Sequence, residues 1–239
     1  MRISKRLAAV ALAGFVSAAP AQAGLQEGIE AYAAGDSAGA IAAWQEGAAQ
    51  GDATSAYLLA KMYERGLGTA ASPKLAFTYL QQAASGGHIQ AQVELGDYYR
   101  NGVPEADVDR DYGAALGWYE KAALVQHAEA QSKIGEMYFL GQGVERNRFD
   151  AIRWYRLAAQ KYYAPALIHL SNAYWANEPV PQDKARSYAY LLLARQSATD
   201  ETRPDVDALM AQREPQMSRA ELDAGVRLAE AFRLEHPRR

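Results

Sequence analysis

An all-α solenoid of stacked helical hairpins is the fold class that this 239-residue sequence predicts. Three observations carry the expectation. One set of residue types recurs along the chain every 36 to 39 residues, and a period in that range marks a repeat architecture in which each unit buries its apolar face against the next. Within each recurrence the apolar residues fall at i, i+3, i+4 and i+7, the helical rather than the strand period. The composition, with 50 alanines, 19 glycines and no cysteine, suits closely packed helices, because alanine has the best helix propensity and lets backbones approach.

Residues 1–23 read as a cleaved secretory signal. Arg2, Lys5 and Arg6 give a cationic start, Leu7 to Ala19 an apolar stretch, and Pro20 precedes Ala21-Gln22-Ala23, with small residues at the two positions a signal peptidase reads. Cleavage is expected after Ala23. The apolar stretch is too short to span as a stable anchor, so no stable membrane insertion is expected once it is removed. The remaining 216 residues hold 22 Lys+Arg against 28 Asp+Glu, a formal charge of −6. That balance argues against a nucleic-acid partner, which would call for a basic face. The lack of cysteine excludes a disulfide framework, a thiolate nucleophile, Cys-ligated zinc and a lipidated N-terminal cysteine. The expected location is the periplasm, with release outside the cell as the alternative.

Residues 24–197 carry the repeats, in units of about 25–52, 53–88, 89–127, 128–163 and 164–197. The first helix of four units opens on Ala53-Thr54-Ser55-Ala56, Ile89-Gln90-Ala91-Gln92, Ala128-Glu129-Ala130-Gln131 and Ala164-Pro165-Ala166-Leu167. Each runs on to Leu59, Leu95, Ile134 or Leu170, then to a small residue, then to Tyr63, Tyr99, Tyr138 or Tyr174. The second helix of each unit carries Trp44, Tyr79, Trp118, Trp154 or Tyr190, followed four and five residues later by a small pair such as Ala122-Ala123. Small residues let helices approach, and the aromatic rings fill the gaps beside them. The turns between the two helices contain Gly66-Leu67-Gly68, Gly102-Val103 and Gly141-Gln142-Gly143-Val144, replaced in the last unit by Asn177 to Asp183. A three-residue insertion, placed in Pro104–Asp111, accounts for the longer spacing of one unit.

The pattern Ala-x-Ala-x-x-x-Leu-Gly-x-Met/Tyr-Tyr, then Gly-x-Gly-Val, then Ala-x-x-Trp-Tyr-x-x-Ala-Ala resembles the Sel-1-like repeat, an α/α-hairpin unit related to the tetratricopeptide repeat. Ala128–Tyr163 is its cleanest copy. Leu25–Asp52 resembles the shorter tetratricopeptide-like unit that opens many secreted bacterial members. The resemblance implies an adaptor or regulator acting through protein contacts, one version being an inhibitor of a sensor kinase's periplasmic domain. Secreted members once linked to β-lactam hydrolysis are cysteine-rich, unlike this chain.

Residues 198–239 read as a linker followed by a terminal cap. Ser218-Arg219-Ala220-Glu221 is a capping-box pattern that starts a helix with Leu222, Val226, Ala229 and Phe232 on one face. Such a helix would cover the apolar end of the last repeat.

Chemistry-bearing motifs are sparse. His88, His127, His169 and His236 show no metal-ligand spacing, and His88 and His127 occupy equivalent turn positions. Asp107-Val108-Asp109-Arg110-Asp111 starts like a calcium loop, but Tyr112 stands where glycine is needed and Trp118 where glutamate is needed. An acidic insert ending in a helix N-cap is the better reading. No nucleophile elbow or phosphate loop is present, and Glu94 and Asp97 read as solvated carboxylates. No catalytic residue, cofactor or metal is therefore expected.

The expected function is a non-catalytic periplasmic scaffold or regulator that binds an envelope protein or peptide. A periplasmic enzyme, or a protein that binds cell-wall peptidoglycan, is the alternative. By analogy with the tetratricopeptide repeat, the concave groove would be lined by Tyr57, Lys61 and Glu64 in the first full unit, and by Val93, Asp97 and Arg100 in the second. The third offers Ser132, Glu136 and Phe139, and the fourth Ile168, Asn172 and Trp175. One slot changes from Glu64 and Arg100 to Phe139 and Trp175, so the groove would be polar at one end and apolar at the other. Two readings of the aromatic end stay open: anchors for a ligand, or rings covered by the following loop and the terminal cap.

Overall fold

A computed structural model describes residues 20–238 of the chain. The signal segment lies outside the described residues except for Pro20–Ala23, which open the first helix. The described residues form α1 (Pro20–Ala33), α2 (Ser37–Ala49), α3 (Ala53–Arg65), α4 (Pro73–Ser85), α5 (Ile89–Asn101), α6 (Tyr112–Leu124) and α7 (Ala128–Leu140). They continue through α8 (Arg148–Ala159), α9 (Ala164–Ala176), α10 (Lys184–Ser197), α11 (Arg203–Arg213) and α12 (Arg219–Glu235). The fold class is therefore all-α. Two compact units divide the chain. One is Met1–Leu95 with Val103–Val108, and the other is Gly96–Gly102 with Asp109–Arg239.

In the first unit α1 packs on α2, α2 on α3, and α3 on α4. In the second, α6 packs on α7, α7 on α8, α8 on α9 and α9 on α10, and α10 carries α11 and α12. Helices begin where the sequence supplies an oxygen for an orphan N–H. Asp36, Asp52, Ser72, Asp111, Asn147 and Asp183 each accept from a backbone N–H in the first turn of the helix that follows, a contact worth about 1 kcal/mol apiece. Ser218 and Glu221 form the expected capping box of α12. The A helices α3, α7 and α9 end on a left-handed residue, Gly66, Gly141 and Asn177 respectively, so asparagine takes the glycine position in the last unit.

The second glycine of the turn has a separate duty. Gly143 has φ 71°, and a Cβ there would stand 2.8 Å from Tyr112, the first residue of α6. The turn of one hairpin thus seats on the helix start of the one before, where only glycine fits.

Fit between the two helices of a hairpin depends on Gly96 and Gly135. A Cβ on Gly96 would come within 2.4 Å of the Tyr119 ring, and one on Gly135 within 2.7 Å of the Tyr155 ring. Tyr119 and Tyr155 are fully buried. They stand one residue after the recurrent Trp118 and Trp154, which are only half-buried, so tyrosine does the close packing. Gly135→Val should therefore lower the melting temperature clearly. Overpacking costs about 1–3 kcal/mol, and valine brings no offsetting gain in backbone rigidity beyond what alanine would. Thermal denaturation followed by circular dichroism checks it.

The core of the second unit runs from Ala151 through Leu167 and Leu191 to Val206, Met210 and Ala229. The terminal segment therefore closes the last repeat by packing, as a cap should. Phe232 meets Tyr162 edge-on at 5.8 Å, and Tyr162 Oη donates to the His236 carbonyl at 2.7 Å.

Candidate functional site

The A helices carry the slots that the repeat pattern assigns to a groove, and many of these side chains are engaged by neighbouring side chains. In the first unit, the Tyr57 hydroxyl donates to Glu94 at 2.7 Å and its ring stacks on His88 at 4.2 Å. Lys61 pairs with Glu94 at 3.1 Å and also with Glu64. Burial opposes the Lys61 charge, but Glu64 and Glu94 outweigh it and hold the ammonium above its ordinary pKa. Burial and the Glu94 carboxylate push the Tyr57 hydroxyl far above its ordinary pKa, so it stays a protonated donor. Burial likewise pulls His88 down, and its Nδ1 accepts from the Ala91 backbone N–H at 3.2 Å.

In the second unit, Asp97 accepts from the Tyr119 hydroxyl at 2.6 Å and pairs with Lys133 at 2.9 Å. Arg100 donates to Glu136 at 2.7 Å and to the Gln142 side chain at 2.9 Å. Burial works against the Glu136 charge, yet His169 and Arg100 hold its pKa down at about 2. His169 Nε2 lies 3.7 Å from the carboxylate, beyond hydrogen-bond reach, so Arg100 is the firmer partner. Asn172 accepts from Arg213 at 2.5 Å, and Trp175 lies between the Lys184 ammonium at 5.5 Å and the Arg213 guanidinium at 5.1 Å.

Four of these placements correct the sequence expectation. Val93 and Ser132 are fully buried and offer nothing to a groove. Ser132 stands one helical turn before Gly135, on the face turned to its own hairpin, and Val93 has the same spacing from Gly96. The residues that follow them, Glu94 and Lys133, reach along the A-helix face instead, as does His169 after Ile168. Glu94 and Asp97 are accordingly not solvated carboxylates but paired acceptors. Sequence reasoning also missed Tyr119 and Arg213. A signal existed for the first group: acid and base alternate one step beyond the assigned slot, at Glu94, Lys133 and His169.

Of the aromatic end, Phe139 remains 38% exposed with the Arg148 guanidinium 5.2 Å from its ring centre. It borders a cleft of about 270 Å³ that Ile152, Tyr155, His169, Asn172 and the Arg148–Glu178 ion pair also line. Trp175, by contrast, is half-buried and touches the terminal segment through Arg213. Arg213, at the end of α11, thus reaches Trp175, while Phe139 stays partly exposed beside Arg148.

The acidic insert forms a short 3-10 turn, Pro104–Ala106. Asp107 pairs with Lys74 at 2.6 Å, and Asp111 caps α6 through the Ala114 N–H. Among the described residues no cluster of three or more His, Cys, Asp or Glu is placed to hold a metal ion. No described helix is long and apolar enough to cross a membrane.

A Sel1 repeat model matches residues 53–88, 89–126, 128–163 and 164–197, more than half of the chain. This protein belongs to the Sel1 repeat family. Among solved structures, a Sel1 repeat protein from Oxalobacter formigenes is similar at 26% identity and TM-score 0.68, over 80% of this chain and 73% of that one. The Sel1-like repeat protein c5321, a protective antigen of uropathogenic Escherichia coli strains, is similar in fold at 19% identity and TM-score 0.54, over 90% of this chain and 54% of that one. A curated relative, an exopolysaccharide production negative regulator from Rhizobium meliloti (strain 1021), is 32% identical over 127 residues, 48% of this chain and 47% of the relative. The chain thus matches about half the length of that regulator. Sel1 repeat proteins are generally protein-interaction scaffolds, and no enzyme family is indicated for this one.

Proposed function

We propose that this Sel1 repeat protein is a non-catalytic periplasmic scaffold or regulator that binds an envelope protein or peptide through the A-helix face of its repeats. The observation that carries the reading is a contrast within the second unit. The charged slots Asp97, Arg100 and Glu136 are spent on neighbours, whereas Phe139 is partly exposed beside an open cleft. Exposed aromatic anchors beside a pocket are where interface energy concentrates. The periplasmic part of the proposal is supported by the three-part signal pattern of residues 1–23, and the regulatory part by the similarity to a negative regulator.

Site-specific photo-crosslinking in intact cells tests it. A photoreactive residue at Phe139 should give a discrete protein adduct, while one at Leu124, which is 84% exposed at the end of α6, should not. Equal labelling at both positions, or retention of the protein on peptidoglycan with no protein adduct, would overturn the proposal in favour of cell-wall binding.

A further inference from the structure

A second cavity, of about 330 Å³, lies within the second unit among α8, α10 and α12 and is lined by none of the groove slots. Its size falls inside the roughly 300–1,000 Å³ of small-molecule sites. The terminal helix is fixed on either side of it. At Gly225 a Cβ would stand 2.8 Å from the Ala185 carbonyl, so α12 lies directly on α10 there. Past the other end of α12, the His236 carbonyl accepts from Tyr162 Oη at 2.7 Å. Between these two points Ala159, Ala189 and Ala231 line the wall, and their short side chains leave the space open.

The apolar part of the wall comes from Tyr190, Leu193, Leu228 and Phe232, with the Phe232 ring edge-on to Tyr190 at 6.3 Å. Three charged side chains join it: Arg156, Arg186 and Glu235. Arg186 is already paired with Asp183 at 3.2 Å. Arg156 is exposed and donates to the neutral Tyr174 Oη at 2.7 Å. Among the described residues it has no carboxylate at salt-bridge distance, and the exposed Glu235 has no cation there. A cation on α8 and an anion at the end of α12 therefore border one apolar cavity without meeting each other. The complement of such a wall carries the reverse pair of charges, set apart, and an apolar body between them. Separated charges suit the two ends of a peptide better than a single amino acid, whose ammonium and carboxylate share one carbon.

We propose that this cavity binds a short apolar peptide with both termini free, its carboxylate on Arg156, its ammonium on Glu235 and its side chains against Leu193 and Phe232. The Tyr174 hydroxyl holds the Arg156 guanidinium in place, so less freedom is lost when it takes a carboxylate. Low-dielectric walls strengthen both charge contacts relative to open surface. The site is separate from the A-helix face, and its occupancy does not depend on a partner at Phe139.

Isothermal titration calorimetry of the full chain tests it, with the dipeptide Leu-Phe, its N-acetyl form, its C-terminal amide, Gly-Gly and free phenylalanine. Leu-Phe should bind about fivefold more tightly than either blocked form, as one polar contact warrants. It should exceed Gly-Gly by at least about tenfold, because Gly-Gly buries no apolar side chain. Arg156→Gln should erase the preference for a free carboxylate and keep that for a free ammonium, and Glu235→Gln should do the converse. Both side chains are exposed, so melting should not change. Equal binding of free and blocked dipeptides, a preference that survives loss of its assigned partner, or no heat from Leu-Phe at millimolar concentration would each overturn the inference. Free phenylalanine binding as tightly as Leu-Phe would overturn the assignment to a peptide.

Discussion

Arg213→Ala is expected to cost about 3 kcal/mol of stability in the second unit, the largest effect of any single replacement in the terminal segment. Arg213 is 5% exposed and, among the described residues, has no carboxylate at salt-bridge distance. It is held by neutral oxygens instead, donating to Ser171 Oγ at 2.7 Å, Ser187 Oγ at 3.1 Å and Asn172 Oδ1 at 2.5 Å. Those residues lie on α9 and α10, so one side chain from the end of α11 ties the terminal segment to both helices of the last repeat. Alanine would remove the hydrogen bonds and leave a void beside Trp175. Two terms oppose each other, because burial of an uncompensated charge is itself unfavourable and pulls the Arg213 pKa down. Arg213→Met keeps most of the volume and removes the charge, so it should cost less than half as much. Chemical denaturation monitored by Trp fluorescence separates the two, since Trp175 lies next to the replaced group. Equal losses for alanine and methionine would show that the hydrogen bonds, not the volume, dominate.

A second large effect is expected from acid. Glu136 has a pKa of about 2 in the folded chain against an ordinary 4.5. Burial opposes its charge, and the neighbouring His169 and Arg100 more than offset that. A carboxyl whose folded pKa is depressed contributes stability that is fully present above its unfolded pKa and is lost as pH falls through the folded one. The contribution at neutral pH is about 2–3 kcal/mol, and it should drain away between about pH 4.5 and pH 2. Glu136→Gln should be less stable by a similar amount at pH 7, and its deficit should close over that same acid range. Urea denaturation of both proteins at a series of pH values measures it. A deficit that stays constant down to pH 2 would mean that Glu136 acts by packing and not by charge.

Much of the fold was legible because repeats repeat. The recurrence of Ala91, Leu95 and Tyr99 with Ala130, Ile134 and Tyr138 marks helices whose bounds in the structure begin where the motif begins, at Ile89 and Ala128. Asp111 and Ser218 read correctly as caps, because an N-cap is a local interaction that needs only the residues beside it. The site was less legible, for a reason of geometry. A groove slot is assigned from helical spacing, and an error of one residue turns a side chain by about 100°. That rotation is what buries Val93 and Ser132, and pairs Glu94 with Lys61 in the first unit and Lys133 with Asp97 in the second. Contacts between residues far apart in sequence, such as Tyr119 with Asp97 or Arg213 with Ser171, carry no local signature and became visible only in the structure. Phe139 and Trp175 share one slot in the repeat, yet differ in fate because the terminal segment reaches one of them and not the other.

The central claim is that Phe139 serves a partner and not the core. Phe139→Ala measures this most directly, with partner capture from crosslinked envelopes and thermal melting recorded on the same preparation. Capture should fall by about an order of magnitude or more, as for an interface anchor, with the melting temperature unchanged. A lowered melting temperature with capture intact would contradict the account and make Phe139 a packing residue.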